Sequence, residues 1–216
     1  MNLSNLFEIQ RKLDEHIMEE HPELKDQNNL DWKILALQVE LGECANEWRG
    51  FKKWSKDQEP RTTTKCHHCS GEGMGFFSGN QYTGFKEICI VCDGTGINDN
   101  QNPLLEEYVD CLHFILSIGL ELEKKYKEKI VPSIKLNENK KSDITNQFNE
   151  LFLNTTSLFI STNDEYYDFE DTIVIFSELL ESFVSLGEML GFTWEQIEQA
   201  YFEKMAINHK RQDEGY

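Results

Sequence analysis

A short unit containing cysteine and glycine occurs twice in the chain, and it constrains the fold more than any other feature. Residues 66–73 have the sequence CHHCSGEG, and residues 89–96 have the sequence CIVCDGTG. Two Cys-x-x-Cys pairs supply the four thiolates of a tetrahedral zinc site, and the glycines after each pair let the backbone turn tightly around the sulfurs. The repeat therefore predicts one structural Zn²⁺ ion, bound by Cys66, Cys69, Cys89 and Cys92.

Two other interpretations of the repeat have less support. A redox-active dithiol needs only one cysteine pair and normally occurs within a βαβ pattern, which this sequence lacks. His67 and His68 lie inside the first pair and could replace a cysteine as zinc ligands, but four sulfurs already complete the tetrahedral set.

The composition is typical of a globular protein rather than a disordered or membrane protein. Hydrophobic residues make up 39% of the 216 residues, and no apolar run approaches the roughly 20 residues needed to span a bilayer. The N-terminal segment carries charges throughout and has no apolar stretch of the kind found in secretory signals. We therefore expect a cytoplasmic protein without membrane association, in which cysteine pairs bind metal.

The net charge of −18 argues against broad contact with nucleic acid, because such contact needs a basic surface. A small anionic ligand is still compatible with this charge, since acidic clusters that hold divalent cations attract phosphates through the metal. Most of the glutamates are expected only to keep the protein in solution.

Helical periodicity begins at the N-terminus. The spacing of Leu3, Leu6 and Leu13 predicts a first helix, which should end near His21 because Pro22 follows. Asp31 is the expected N-cap of a second helix that runs to about residue 50.

The second half of the chain is also helical. Asn102 followed by Pro103 predicts the start of a long helix, and Thr193 with Gln196 predicts a capping box at the start of the last one. Two more helical stretches are expected at about 144–160 and 169–190. The fold class predicted is all-α, a bundle of five or six helices with a small zinc-binding insert.

Two pairs of carboxylates have the spacing of a metal site. Glu40 and Glu43 are three residues apart on the second helix, and Glu107 and Asp110 are three residues apart on the helix after the repeat. Residues at i and i+3 share a helical face, so two packed helices could bring four carboxylates together. Such a cluster would need cations such as Mg²⁺ to offset its repulsion.

Each pair taken alone is more typical of a solvated helix surface, where glutamates at this spacing are common. The neighbouring residues favour a site instead. Asp110 lies between Val109 and Cys111 in a largely apolar helix, and a carboxylate in such a position needs a partner.

Three segments in order resemble one known family. They are ELGECANEWRGFKKW (40–54), EEYVDCLHFILSIG (106–119) and the closing YFEKMAINHKRQDEGY (201–216). With these segments the chain resembles the dimeric dUTPases, within the superfamily of all-α nucleoside triphosphate pyrophosphohydrolases. The resemblance covers nearly the whole chain except about residues 62–96.

The resemblance implies a metal-dependent site. Glu40, Glu43, Glu107 and Asp110 would hold two or more Mg²⁺ ions that bridge a triphosphate. Glu43 would also orient the attacking water and accept its proton.

The resemblance also implies the contacts to substrate. Phosphate would be bound by Lys204, Asn208 and Arg211, and their spacing places them on one stripe of the last helix. Gln10 matches a position near the uracil pocket. Trp54 matches an aromatic residue that packs on the base, although Trp48 is close enough to be its equivalent, and either could be an ordinary core residue.

One departure affects base recognition. Asp14 stands where relatives have Asn, four residues after the glutamine. An Asn amide can donate and accept hydrogen bonds, whereas an ionised Asp only accepts. Asp14 could still accept the uracil N3–H, but a preference for another base becomes an alternative.

The spacing of the carboxylates indicates how the zinc unit is accommodated. Sixty-three residues separate Glu43 from Glu107, and without residues 62–96 the separation would suit the rest of a helix and a connector. Long insertions into surface loops cost little closure entropy. We therefore expect a bundle formed by residues 1–61 and 97–216, interrupted by a zinc-binding insert at 62–96.

The expected reaction is hydrolysis of dUTP to dUMP and pyrophosphate by a homodimer. One alternative is a related pyrophosphohydrolase that acts on another nucleotide such as dCTP. A second is a non-enzymatic zinc-ribbon adaptor on a helical scaffold. The repeat also resembles half of the cysteine-rich domain of J-domain cochaperones, so the insert could contact a protein partner through aromatic residues at its tip, namely Phe76, Phe77, Tyr82 and Phe85.

Overall fold

The structure, a computed structural model, describes residues 3–78, 81–130 and 140–215. Side chains are described in these ranges except at 76–78 and 81–85, so the aromatic tip predicted for the insert lies outside the described side chains. Tyr216, the last residue of the closing motif, is also outside the described residues. The described ranges contain six α-helices: α1 (Leu3–Glu20), α2 (Leu30–Trp48), α3 (Pro103–Tyr126), α4 (Ile144–Asn163), α5 (Phe169–Leu190) and α6 (Trp194–Asp213).

Side-chain caps set the starts of several helices. The side chain of Asn102 accepts a hydrogen bond from the backbone N–H of Leu105 at the start of α3, as predicted. Thr193 and Gln196 form the predicted capping box of α6. Asp168 and Asp171 form another capping box at the start of α5.

The prediction for the start of α2 was wrong by two residues. The helix begins at Leu30 with Asn29 at the N-cap position, so Asp31 lies in the first turn. The side chain of Asn29 is directed to the preceding turn, where it donates to the carbonyl of Leu24, while the Oδ1 of Asn28 accepts from the N–H of Leu30. Asp31 is still favourable there because its charge complements the helix macrodipole.

The long helix α3 is the centre of the bundle. It packs against α1, α2, α5 and α6, and α4 packs against α5 and α2. The core is aliphatic and aromatic, and its fully buried members include Leu37, Leu41, Leu112, Ile115, Phe176 and Phe183. This packing confirms the all-α bundle and brings α2, α3 and α6 together along one side. Within the described ranges, no helix is sufficiently long and apolar to cross a bilayer.

The cysteine repeat lies on short strands between α2 and α3. Strands β1 (Thr64–Lys65) and β4 (Ile97–Asn98) pair antiparallel, and β2 (Met74–Ser78) pairs antiparallel with β3 (Gln81–Ile88). Just before β1, the backbone N–H of Arg61 donates to the carbonyl of Glu47, and its own carbonyl accepts from the N–H of Leu104. The repeat therefore leaves the bundle and returns to it at one place, where the end of α2 meets the start of α3.

Close packing in the core requires a glycine at position 187. Tyr108 is fully buried, stacks on Phe183 with ring centroids 4.2 Å apart, and donates a hydrogen bond to the Phe183 carbonyl. A Cβ atom on Gly187 would overlap the Tyr108 ring. We expect Gly187→Ala to lower the free energy of unfolding by about 1–3 kcal/mol because the core would be overpacked.

Urea denaturation followed by circular dichroism measures this change, and Gly42→Ala is the matched control. A Cβ atom added at Gly42, in the interior of α2, meets no atom within 4 Å. This control should stabilise the protein by up to about 1 kcal/mol, because alanine is the better helix former. Equal stability of the two variants would contradict the packing argument.

Candidate active site and metal centre

Three carboxylates converge where α2 and α3 pack together. Glu40 extends from α2, and Glu107 and Asp110 extend from one face of α3. Oxygen atoms of the three side chains lie within 4.8 Å of one another, and all three residues are partly buried. Glu43, one turn beyond Glu40, is exposed and is not one of the three, although its charge acts on Glu40 and Glu107.

The proximity of these carboxylates alters their acidity. Burial, followed by the charges of Asp110 and Glu43, raises the pKa of Glu40 from 4.5 to about 7, and Lys204 opposes the rise. Burial, followed by Asp110, Glu43 and Glu40, likewise raises the pKa of Glu107 to about 7. The cluster therefore resists carrying its full negative charge without added cations.

One cation reaches the cluster from α6. The Nζ of Lys204 lies 2.6 Å from a carboxylate oxygen of Asp110 and 3.0 Å from one of Glu106. Burial raises the pKa of Asp110, whereas its hydrogen bond and charge interaction with Lys204 oppose that rise. The charge of Arg211 also acts on Asp110. These two cations do not neutralise the three carboxylates of the cluster together with Glu43 and Glu106, so the cluster suits hard divalent cations with oxygen ligands, such as Mg²⁺.

A cavity of about 370 Å³ adjoins the carboxylates. Glu40 and Asp110 line it on the side of α2 and α3, and α6 contributes Lys204, Asn208 and Arg211. The rest of the wall comes mainly from α1, from the start of α2 and from the middle of α3, through Gln10, Leu13, Asp14, Ile17, Met18, Leu24, Trp32, Lys33, His113, Phe114, Ser117 and Gln212.

The cavity brings together residues that the sequence placed far apart. Three groups of predicted site residues line this cavity. They are the two α1 residues predicted near the base (Gln10 and Asp14), the three predicted phosphate contacts of α6 (Lys204, Asn208 and Arg211) and two of the predicted metal ligands (Glu40 and Asp110). Their individual roles stay predictions. The common location is what an enzyme acting on a small charged ligand needs.

The structure does not bring Trp54 to this cavity. Trp54 is 78% exposed and contacts Phe51 edge-on, with ring centroids 5.8 Å apart. Trp48 packs on the core beside Phe148. The tryptophan in the cavity wall is Trp32, whose indole N–H donates to Asn29.

Sequence reasoning missed four polar residues of the cavity region. His113, Ser117 and Lys33 line the wall, and Tyr201 stacks on His113 with ring centroids 4.2 Å apart. His113 follows Asp110 by three residues, so the same helical spacing that identified the carboxylates could have placed it on their face. Lys33 gives no such signal, because its partners lie on other helices.

The four predicted zinc ligands form one buried cluster. Cys66 and Cys89 have their sulfurs 3.9 Å apart, and the sulfurs of Cys69 and Cys92 are 3.7 Å apart. A tetrahedral ion with Zn–S bonds of about 2.3 Å would separate its sulfurs by about 3.8 Å. The four side chains therefore fit a zinc ion.

The two halves of the repeat have the same backbone conformation. The N–H of Gly73 donates to the sulfur of Cys69, and the N–H of Gly96 donates to the sulfur of Cys92, both at 3.2 Å. Both glycines have positive φ, and a Cβ atom on either would overlap a backbone carbonyl of the other half of the repeat. Glycine is therefore required at these positions to stabilise the sulfurs and to close the module.

Comparison with known proteins agrees with this geometry. A model of the dUTPase family matches residues 2–68 and 95–216. The chain belongs to the all-α dUTPase family. The matched residues include the carboxylate cluster and α6, and they omit residues 69–94, which contain three of the four cysteines of the zinc cluster. No curated protein matches the chain.

We expect the protein to bind about one zinc ion per chain. Cys89→Ser should lose this zinc, because three sulfurs and a hydroxyl make a much weaker site. Elemental analysis of the purified protein measures the stoichiometry. The control is Cys44→Ala, which removes a buried cysteine outside the cluster and should keep its zinc. Full zinc content in Cys89→Ser would contradict the ligand assignment.

The raised pKa values of Glu40 and Glu107 predict a pH dependence of stability. Both groups bind protons more tightly in the folded protein, so they add no penalty below pH about 4.5 and destabilise the fold as the pH rises through about 7. The free energy of unfolding in Mg²⁺-free buffer should therefore fall between pH 5 and pH 8.

Urea denaturation across this pH range, without chelator so that zinc is retained, measures the effect. Glu107→Gln should flatten the fall, whereas Glu19→Gln, at an exposed position of α1, should leave it unchanged. Addition of Mg²⁺ at pH 8 should restore stability. Parallel profiles for the wild type and Glu107→Gln would refute the electrostatic account of the cluster.

Proposed function

We propose that the protein is a Mg²⁺-dependent pyrophosphohydrolase that converts dUTP to dUMP and pyrophosphate. The observation that carries the proposal is the single cavity lined by two carboxylates of the cluster and by the phosphate-binding residues proposed on α6. Membership of the dUTPase family supports dUTP as substrate.

Glu40, Glu43, Glu107 and Asp110 would hold the metal ions. When bound, Mg²⁺ would neutralise triphosphate charge and lower the pKa of a bound water. Glu43 is the exposed carboxylate of the four, and the other three are partly buried, so water can reach Glu43. It would orient the attacking water and accept its proton, for in-line attack on a phosphorus that is the β one by family analogy.

The residues of α6 would bind the phosphates. Lys204 and Arg211 supply positive charge, and Asn208 lies one turn after Lys204 and supplies an amide. Lys204 is paired with Asp110 and Glu106, and from this position it would act on the departing group, which is dUMP when water attacks the β phosphorus. It would there stabilise charge that develops as the P–O bond breaks.

Gln10 and Asp14 would contact the base from α1, since both line the cavity. Because Asp14 departs from the family's Asn, we keep hydrolysis of another pyrimidine nucleotide such as dCTP as a second candidate. Trp54 would reach the base only if one subunit of a dimer supplied it to the active site of the other subunit. The homodimer implied by the family would offer that arrangement, and exposed apolar side chains on α2 and α4, among them Leu35, Val39 and Leu153, provide surface for it.

We propose that residues 62–96 are a zinc-stapled insert in a bundle formed by 1–61 and 97–216. The antiparallel pairing of β1 with β4 and the backbone bonds of Arg61 support this division. A protein partner for the insert stays a proposal.

A panel of deoxynucleotides with Mg²⁺, scored for pyrophosphate release, tests the activity and its base preference. We expect dUTP to be hydrolysed fastest. A higher rate with dCTP would favour the second candidate, and no release from any nucleotide would refute the enzymatic function.

Replacement of Glu43 tests the mechanism. Glu43→Gln should reduce turnover of dUTP by about 10²-fold or more, because the amide cannot accept the proton of the attacking water. The control is Glu47→Gln, one turn further along α2, which should retain turnover within about twofold. Circular dichroism should show that both variants stay folded. Turnover by Glu43→Gln at the wild-type rate would refute the assignment.

A further inference from the structure

A chain of hydrogen bonds connects four polar side chains beside the cavity. It runs from Asp14 to Gln10 and from there to His113 and Tyr201, with distances of 2.7, 2.8 and 2.8 Å. The direction of each bond can be deduced from the chemistry of its two partners, beginning at Asp14.

Asp14 begins the chain as an acceptor. Its Oδ2 accepts from the hydroxyl of Ser117 at 2.5 Å and lies 3.2 Å from the Nζ of Lys33. Lys33 is almost fully buried, with 4% of its side chain exposed, and it also contacts Glu121 at 2.9 Å. An ammonium can only donate, so Oδ2 accepts from it, and Oδ1 is left to accept from Gln10.

The acceptor at Asp14 fixes the orientation of Gln10. The amide atom that faces Oδ1 must be the NH₂ group, so the amide oxygen faces the other way. That oxygen meets the Tyr201 hydroxyl and the Nδ1 of His113. Since an amide oxygen only accepts, Nδ1 must carry a proton.

The proton on Nδ1 determines the other nitrogen of His113. Burial, followed by the charge of Lys204, lowers the pKa of His113 to about 3, while a backbone hydrogen bond with Tyr201 opposes this shift. The ring is therefore neutral, and because its proton is on Nδ1 through the bond to Gln10, Nε2 has none. His113 lines the cavity and is only 6% exposed, and its Nε2 is buried without a hydrogen-bond partner among the described residues. An unpaired buried acceptor costs free energy, which a ligand donor can recover.

We propose that Asp14 and Lys33 are positioning residues that hold His113 in the Nδ1–H tautomer, so that Nε2 accepts a hydrogen bond from an N–H or O–H group of the bound nucleotide. The ligand half of this proposal rests on the proposed function, whereas the tautomer half does not. An Asn at position 14, as in the relatives that this protein resembles, would accept or donate. It would therefore not fix which partner donates in the hydrogen bonds between position 14 and His113.

The tautomer is measured by ¹⁵N NMR of the full-length protein labelled at histidine, with the His113 signals assigned by their loss in His113→Gln. The wild type should show a protonated Nδ1 and an unprotonated Nε2 at neutral pH. Asp14→Asn and Lys33→Met should each shift His113 towards a mixture of tautomers. Met18→Leu, in the same cavity wall but outside the chain of hydrogen bonds, should not.

Two NMR results would overturn the tautomer half. One is a protonated Nε2 in the wild type. The other is an unchanged tautomer in folded Asp14→Asn, since this nearly isosteric change replaces an acceptor-only carboxylate with an amide that can also donate. Both readouts are independent of catalysis, so they separate a failure of this proposal from a failure of the proposed function.

The ligand half is tested by titration with dUMP. Binding should move the Nε2 signal of His113, and Asp14→Asn should weaken the affinity for dUMP by about 3- to 10-fold. Loss of the Nε2 shift with 3-methyl-dUMP would identify the base N–H as the donor. Loss with 2′,3′-dideoxyuridine monophosphate would identify the sugar hydroxyl. Saturation with dUMP and no movement of Nε2, or no binding of any of the three, would overturn this half.

Discussion

The site depends on carboxylates that are held closer together than their charges favour. Glu40, Glu107 and Asp110 are kept within 4.8 Å of one another by the packing of α3 against α2, and Lys204 from α6 offsets only part of their repulsion. The apolar core on α3 therefore stabilises an arrangement that is unfavourable in the absence of bound cations. The same packing places α1 and α6 around the adjoining cavity, so the carboxylate cluster and the cavity share one support.

Local signals in the sequence predicted most of the fold. Asn102 and Thr193 cap helices because the hydrogen bonds they make are with residues three positions away, and the cysteine repeat has its glycines where the backbone needs positive φ. Asp31 was wrongly predicted as the N-cap of α2 because Asn28 and Asn29 also suit that role. Which of these residues caps the helix depends on the conformation of the turn before it.

The residues alone predicted the candidate site only at the carboxylate pairs, whose spacing of three places each pair on one helical face of α2 or α3. The site residues of α6 and α1 were predicted from the resemblance to the dUTPases, and the structure places them in one cavity wall with Glu40 and Asp110. The resemblance indicated Trp54 or Trp48 at the base, whereas the structure has Trp32 in the cavity wall, because which tryptophan reaches the wall depends on how the helices pack. Lys33 was missed for the same reason, since its partners Asp14 and Glu121 are on other helices.

The backbone of Arg61 also bears on how the two parts of the protein move. Its N–H and its carbonyl bond to the end of α2 and the start of α3, so the bundle is closed by hydrogen bonds before the chain enters the cysteine repeat. Beyond this point the short ladder of β1 and β4 and a hydrogen bond from the hydroxyl of Thr64 to the side-chain oxygen of Gln101 continue the connection. We expect the spacing of the helices that carry the carboxylates to stay constant when the cysteine repeat moves on this narrow stem.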